Sequence, residues 1–239
     1  MPVRSPFDPC ALRGVPVAVI DFETTGANPK TCEPVQVAVV HCNLGDTEPT
    51  LVHKALIRPE GPIEPGATAV HGITADMVSD APGFADHLPT LLESLEGRVL
   101  AAFNLPFDWQ VLSLGMTLAG LDAAEVPFGA LDPLVWAKVV HRYERGKKLV
   151  DVAGRYGVEV DAHDAAGDAL ATATIMPKLL HDLGRHPEGG RAPLLSVEAM
   201  WRWTMAHGVA EEEGYAAWRV ANGRSDIERT WANLTEGDR

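Results

Sequence analysis

Three runs rich in β-branched residues, at 15–22, 34–42 and 51–57, follow one another with only short connections between them. The breakers in those connections are Gly26, Asn28 and Pro29, then Gly45, Asp46 and Pro49. Connections this short do not accommodate a crossover, so the three runs are expected to pair as an antiparallel meander. After residue 98 the pattern changes. A short strand over 98–103 is expected to lead to a helix over 106–118, and another over 126–131 to a helix over 133–144. Strands alternating with helices imply parallel pairing through right-handed crossovers. The expected class is therefore α/β, with one mixed sheet flanked by helices.

The remaining segments are read in the same way. Residues 58–74, RPEGPIEPGATAVHGIT, read as a proline- and glycine-rich loop, and 84–95 as a helix. A short helix over 148–156 is ended by Gly157, and a long helix spans 164–183. Pro177 is expected to kink that helix or end its first part. Residues 185–193 read as a linker, which divides the chain into a main domain, 1–185, and an extension, 186–239. The extension carries Trp201, Trp203, Trp218 and Trp231. A capping-box pattern at Ser225 and Glu228, with Ile227, Trp231 and Leu234 on one face, makes it a small helical unit.

Within the first strand, VAVIDFETTG runs apolar residues directly into Asp21 and Glu23. Residues at i and i+2 of a strand point to the same face. Two carboxylates held together beside buried neighbours are costly unless a cation meets them. By itself D-x-E is common by chance and reads more simply as two solvated acids at a strand end. A second motif, AAFNLPFDWQVL, ends a strand at Phe103 and opens a helix at Pro106. Asn104 is placed as a cap or loop brace, and Asp108 falls in the first helical turn, where open α/β sheets hold ligands. An acid there also suits the helix dipole. A third, HDAAGDALATA, puts His163 ahead of Asp164 and Asp168 near a helix start. A loop histidine beside acids can serve as a general base near neutral pH; it can also be a solvated surface residue.

Composition limits the context. A formal charge of −13 disfavours non-specific adhesion to nucleic acid or anionic membrane over the whole surface, although bound cations can reverse the local sign. Cys10, Cys32 and Cys42 have no metal-binding spacing and suggest a reducing compartment. The first residues lack the apolar run of a secretory leader, and no segment has the length to span a bilayer. A soluble cytoplasmic protein with no membrane partner is expected.

Taken together, D-x-E, N-x-x-F-D and H-x-x-x-x-D, in this order, resemble the DnaQ-like 3′–5′ exonucleases of the DEDDh type, the family of the DNA polymerase III epsilon proofreading subunit. The likeness covers about residues 14–184 and includes VHGIT at 70–74 and LDPLVWAK…KLVDVAGRYGV. The resemblance implies an RNase H-like fold with a mixed five-stranded sheet, its first three strands antiparallel. It implies two Mg²⁺ or Mn²⁺ ions held by Asp21, Glu23, Asp108 and Asp168, with Asp21 bridging them and His163 as general base. Position 164 is Asp and not Tyr, which fits the histidine subclass. Phe103 stands where the family usually has His, which affects local substrate contacts and not the acid itself. Contacts to the terminal nucleotide are expected from Thr24, Thr25, Gly26, His71, Asn104 and Phe107, with His71 placed in a loop.

The implied reaction hydrolyses the terminal phosphodiester of DNA and releases nucleoside 5′-monophosphates, in proofreading or repair. Its 3′-to-5′ polarity rests on the resemblance alone. The expected partner is nucleic acid with a free 3′ end, single-stranded or frayed DNA, with a DNA polymerase as a further expected partner. Two alternatives stand beside it: an exoribonuclease of the same fold, and a non-catalytic nucleic-acid-binding scaffold. RYERGKK at 142–148 reads as a solvated helix end or as a contact for phosphates, and the tail tryptophans as packing residues or as a base-stacking surface.

Overall fold

The computed structural model describes residues 12–45, 48–121, 129–189, 196–224 and 231. Strands β1 (Pro16–Thr24), β2 (Pro34–Asn43) and β3 (Thr50–Leu56) form the antiparallel meander. Two short helices follow, α1 (Pro65–His71) and α2 (Ala75–Val78), then α3 (Phe84–Leu95) and β4 (Val99–Ala101). Helices α4 (Leu105–Leu118), α5 (Pro133–Val140), α6 (Leu149–Arg155), α7 (Ala165–Arg185) and α8 (Val197–Ala221) complete the described chain.

The sheet order is β3-β2-β1-β4, with β4 parallel to β1. The apolar residues of β1 are buried on both faces because the strand is central: Phe22 meets Phe84 of α3 edge-on at 5.9 Å, while α7 covers the other side. The described residues therefore contain four strands, not five. At the expected fifth position only an isolated parallel bridge between Ala101 and Leu131 is seen, and most of the expected 126–131 strand lies outside the described residues.

Three local readings change. The proline- and glycine-rich stretch does not stay a loop: Pro65 opens α1, and Gly72, at φ 74°, ends it in the left-handed conformation. Pro is favoured in the first turn and Gly just past the last, so the two residues read as breakers are this helix's boundaries. Of the two outcomes expected at Pro177, only the ending is overturned: α7 runs for 21 residues through it. Ile175, Met176, Leu179 and Leu180 are buried on both sides of the proline, and this packing outweighs one lost backbone bond. Helix α5 stops at Val140, short of the expected 144.

The long helix α8 packs on α5. Its Met200 and Trp203 join the hydrophobic cluster of the main sheet, and the buried Trp136 indole N–H donates to Thr204 Oγ1 at 3.0 Å. Trp231 is buried against Gly208, whereas Trp218 is half exposed. The Ser225–Glu228 pattern, Ile227 and Leu234 lie outside the described residues. Among the described residues, no helix is long and apolar enough to cross a membrane.

Candidate active site

Three carboxylates converge where β1 ends. Oxygens of Asp21, Glu23 and Asp168 lie within 4.8 Å of one another. The first two arrive by strand alternation; the third arrives because the start of α7 is held over the sheet. Gln36, opposite Glu23 in the β1–β2 register, accepts the Ala165 N–H at 2.8 Å. Asp164 caps the helix by accepting the Gly167 N–H, and its other oxygen pairs with Lys54 of β3 at 2.6 Å. Gly167 has no room for a side chain, because a Cβ would lie 2.2 Å from the Asp161 carbonyl oxygen.

Asp108 reaches the same region from α4. It is 4% exposed, and its Oδ1 accepts the Phe22 N–H at 3.1 Å, in the part of β1 beyond its pairing with β4. Asn104 sits at φ 80° but makes no side-chain cap. Asp132 does that work from the α5 side: it accepts from Asn104 and Leu105 backbone N–H groups at 3.1 Å each and from Leu134 at 2.8 Å. One buried carboxylate thus caps two helices and fixes the approach of Asp108. Burial pushes Asp132 up to about 6, against the pull of those N–H donors.

The electrostatics of the cluster call for a cation. Burial holds Asp21 well above the usual carboxylate range, and the charges of Asp108, Asp168 and Glu23 add to this. Burial pushes Glu23 up to about 7, with Asp168 and Asp164 contributing. Asp108 and Asp168 are raised by burial too. A converging set of carboxylate oxygens with no cationic side chain among them is the donor set of a hard divalent ion.

His163 is exposed and adopts φ 67°, a left-handed conformation uncommon outside glycine. Its backbone N–H donates to Asp168 at 3.4 Å, which places the residue on the lip of the acid cluster. His71 is not in a loop but is the last residue of α1. Its Nδ1 accepts the Ile73 N–H at 3.0 Å, so the ring proton is on Nε2, which donates to the Thr24 carbonyl at 3.1 Å. Burial lowers its basicity, consistent with a neutral ring.

A groove of about 410 Å³ runs beside Glu23, and Thr24, Gly26, His71 and Phe107 line it together with Phe22 and Glu64. Thr25 and Asn104 do not. Thr25 is buried, with its hydroxyl accepting the Glu33 N–H, and Asn104 is exposed elsewhere. Sequence reasoning passed over Glu64, Asp132, Gln36 and Lys54. The first two stand directly before a proline that opens a helix, a recognisable cap position; the others act through partners far along the chain.

Comparison with known proteins bears on the family and the fold. A DNA polymerase III subunit epsilon-like protein of Rhodobacter capsulatus is 36% identical over 166 residues, covering 68% of this chain and 23% of that protein. The chain spans only 11–23% of the curated relatives it matches first. Among solved structures, exonuclease X in complex with 5′ overhanging duplex DNA is similar with a TM-score of 0.56 and 23% identity, over 79% of this chain and 99% of that one. A 3′-exonuclease that recognises the histone mRNA stem-loop is similar with a TM-score of 0.59 and 21% identity, over 71% of this chain and 83% of that one. These likenesses carry the RNase H-like fold. The exonuclease family model RNase_T matches residues 18–176, from the middle of β1 to beyond Asp168, and on that match the chain belongs to the RNase_T exonuclease family.

Proposed function

We propose that this protein is a divalent-metal-dependent 3′–5′ exonuclease that removes terminal nucleotides from DNA as 5′-monophosphates. The observation that carries the reading is the convergence of Asp21, Glu23 and Asp168 within 4.8 Å, beside a groove of about 410 Å³. Asp21, Glu23 and Asp168 are the residues to hold the metal, with Asp108 completing the set from α4. Two bound Mg²⁺ or Mn²⁺ ions would supply charge stabilisation at the phosphate and an acidified water.

The chain's own residues do the rest. Phe107, partly exposed in the groove, offers an apolar face to a terminal base. His71, fixed as the neutral Nε2–H tautomer, braces the Thr24 carbonyl and so the wall of the groove. His163 is the group to take a proton from the attacking water; its exposed position lets it pass that proton to solvent. A polymerase partner is suggested by the names of relatives. RNA is a second candidate substrate, favoured by the likeness to a 3′-exonuclease acting on a histone mRNA stem-loop.

The test is a time course on 3′- and 5′-labelled single-stranded DNA, paired and mismatched duplex, and RNA, with Mg²⁺ or Mn²⁺. Mononucleotide release from the 3′ label first, lost in Asp21→Ala and His163→Ala, supports the proposal. An inert wild type with both metals would make the fold a binding scaffold.

A further inference from the structure

The groove beside the acid cluster is lined by four polar side chains, Glu23, Thr24, Glu64 and His71. Three of them are already committed. Glu23 belongs to the acid cluster. The Thr24 hydroxyl donates to the Gly26 carbonyl at 2.8 Å. His71 uses both ring nitrogens, one on the Ile73 N–H and the other on the Thr24 carbonyl. The Glu64 carboxylate has neither a hydrogen bond nor an ion pair among the described residues. Its hydrogen-bonding capacity is therefore left for a ligand, and an ionised carboxylate can only accept.

The backbone fixes where this carboxylate stands. The Glu64 N–H donates to the Thr25 carbonyl at 2.8 Å, which ties the start of α1 to the exit of β1, and the Glu64 carbonyl accepts from Ala67 and Thr68. The side chain itself does not cap the helix. Its carboxylate lies over Gly26 instead: a Cβ on that glycine would come within 2.6 Å of Oε1 and 3.1 Å of Oε2. Gly26 is not at a positive φ, so the space taken by the carboxylate, and not the backbone conformation, is what a side chain there would violate. Glu64 is exposed, so its charge is solvated and a ligand can reach it. The rest of the groove is mainly apolar, with Ala27, Ala67, Val70 and Phe107 on the same space.

Glu23 belongs to both the cluster and the groove, so a phosphate held at the cluster leaves the rest of its nucleotide in the groove. A nucleobase suits walls of this kind, with apolar faces for the side chains and a polar edge for the carboxylate. Among the DNA bases, guanine carries two donors side by side on its pairing edge, the N1–H and the N2 amino group, which match the two oxygens of a carboxylate. Adenine presents one donor there and an acceptor beside it. We propose that Glu64 is a specificity-determining residue that accepts both guanine donors and makes a terminal guanine the preferred base. This inference rests on the exonuclease reading above for its substrate. It requires the terminal base to be unpaired, because the edge that Glu64 meets is the one used in base pairing.

The experiment compares the full-length wild type with Glu64→Ala and with Gly26→Ala, which displaces the carboxylate without removing its charge. Calorimetry with dGMP, dAMP, the deoxyinosine monophosphate and GMP, in Mg²⁺, gives affinity independently of turnover. Hydrolysis of single-stranded DNA ending in guanine or adenine gives the matching rates, and thermal melting controls for folding. The wild type is expected to bind dGMP about tenfold tighter than dAMP, the order of discrimination of one bidentate pair. The deoxyinosine nucleotide, which keeps the N1–H and lacks the N2 amino group, is expected to fall between them. Both variants are expected to bring the dGMP-to-dAMP ratio within a factor of two, with normal melting. Equal wild-type affinity for dGMP and dAMP, or a preference that survives Glu64→Ala, overturns the proposal. So does a variant that alters only the GMP-to-dGMP ratio, since the carboxylate then reads the 2′-hydroxyl, or only the melting temperature, since Glu64 then serves the dipole of α1. Glu64-dependent preference for dGMP in a wild type that hydrolyses neither oligonucleotide would sink the catalytic reading and leave this one standing.

Discussion

Asp21 and Glu23 are costly residues for the fold that carries them. Each is pushed up by burial and by its neighbours' charges, and Asp108 and Asp168 are raised alongside them. A carboxyl with a raised folded-state pKa binds its proton more tightly folded than unfolded. Its contribution to stability is therefore present below the ordinary pKa and lost as pH rises through the raised one. For Glu23 that window runs from 4.5 to about 7. The metal-free protein is expected to lose thermal stability as pH rises across this range, and a divalent cation to restore it at the upper end. Melting curves between pH 4.5 and 8, with EDTA or with Mg²⁺, test this; superimposable curves would count against it. Asp21→Asn separates the two effects. Removing one charge relieves repulsion, so the metal-free variant is expected to melt no lower than wild type at pH 7. It should nonetheless gain little from Mg²⁺ and lose more than ~100-fold in activity, beyond the 10–100-fold typical of residues that only support a ligand. His163→Ala should cost ~10²–10⁴-fold in turnover, the usual worth of a general base, with melting unchanged because the side chain is exposed.

The start of α7 shows how an element converts packing into chemistry. Gln36 holds the Ala165 N–H, Lys54 holds Asp164, and the Asp161 carbonyl fills the space beside Gly167. Gly167→Ala is expected to push the 161–163 turn away from the helix, costing about 1–3 kcal/mol as an overpacking defect. Because that turn carries His163, turnover should fall further than stability alone predicts; full activity at a reduced melting temperature would show the turn to be dispensable. The same element marks where sequence reading stops. Alternation alone puts Asp21 and Glu23 on one face, and the helix start at 164 is legible from Asp164 as a cap. The partners that bring α7 to β1 lie 110 and 129 positions away and leave no local signal. Helix α1 was hidden for a different reason: its proline and glycine boundaries are the same residues that punctuate loops. Asp132 stands in a recognisable cap position before Pro133 but was passed over, and its second duty, capping α4 from 27 and 28 positions away, appears only in three dimensions.

At the scale of the whole molecule, α8 lies beyond the 18–176 stretch that matches the exonuclease family, yet it is not an independent appendage. Met200, Trp203 and Met205 are buried against the main core, and the fully buried Trp136 depends on Thr204 for its one hydrogen bond. Trp136 is on α5, α5 begins at Asp132, and Asp132 caps the helix that delivers Asp108. The described part of the extension is thus coupled to the acid cluster through packing, and none of its described residues joins the carboxylate group. Thr204→Val keeps the shape but strands the indole N–H, which should cost about 1–3 kcal/mol. At this chain length each kcal/mol lowers the melting temperature by about 2–4 °C. Turnover of a trinucleotide, measured well below the melting transition, should stay within a factor of two of wild type. A loss of turnover at unchanged melting temperature would mean that α8 touches the substrate directly. A loss of both in proportion, as expected if the chain is ended at residue 189, would mean that the tail acts by holding α5, and through Asp132 and α4 the fourth carboxylate, in place.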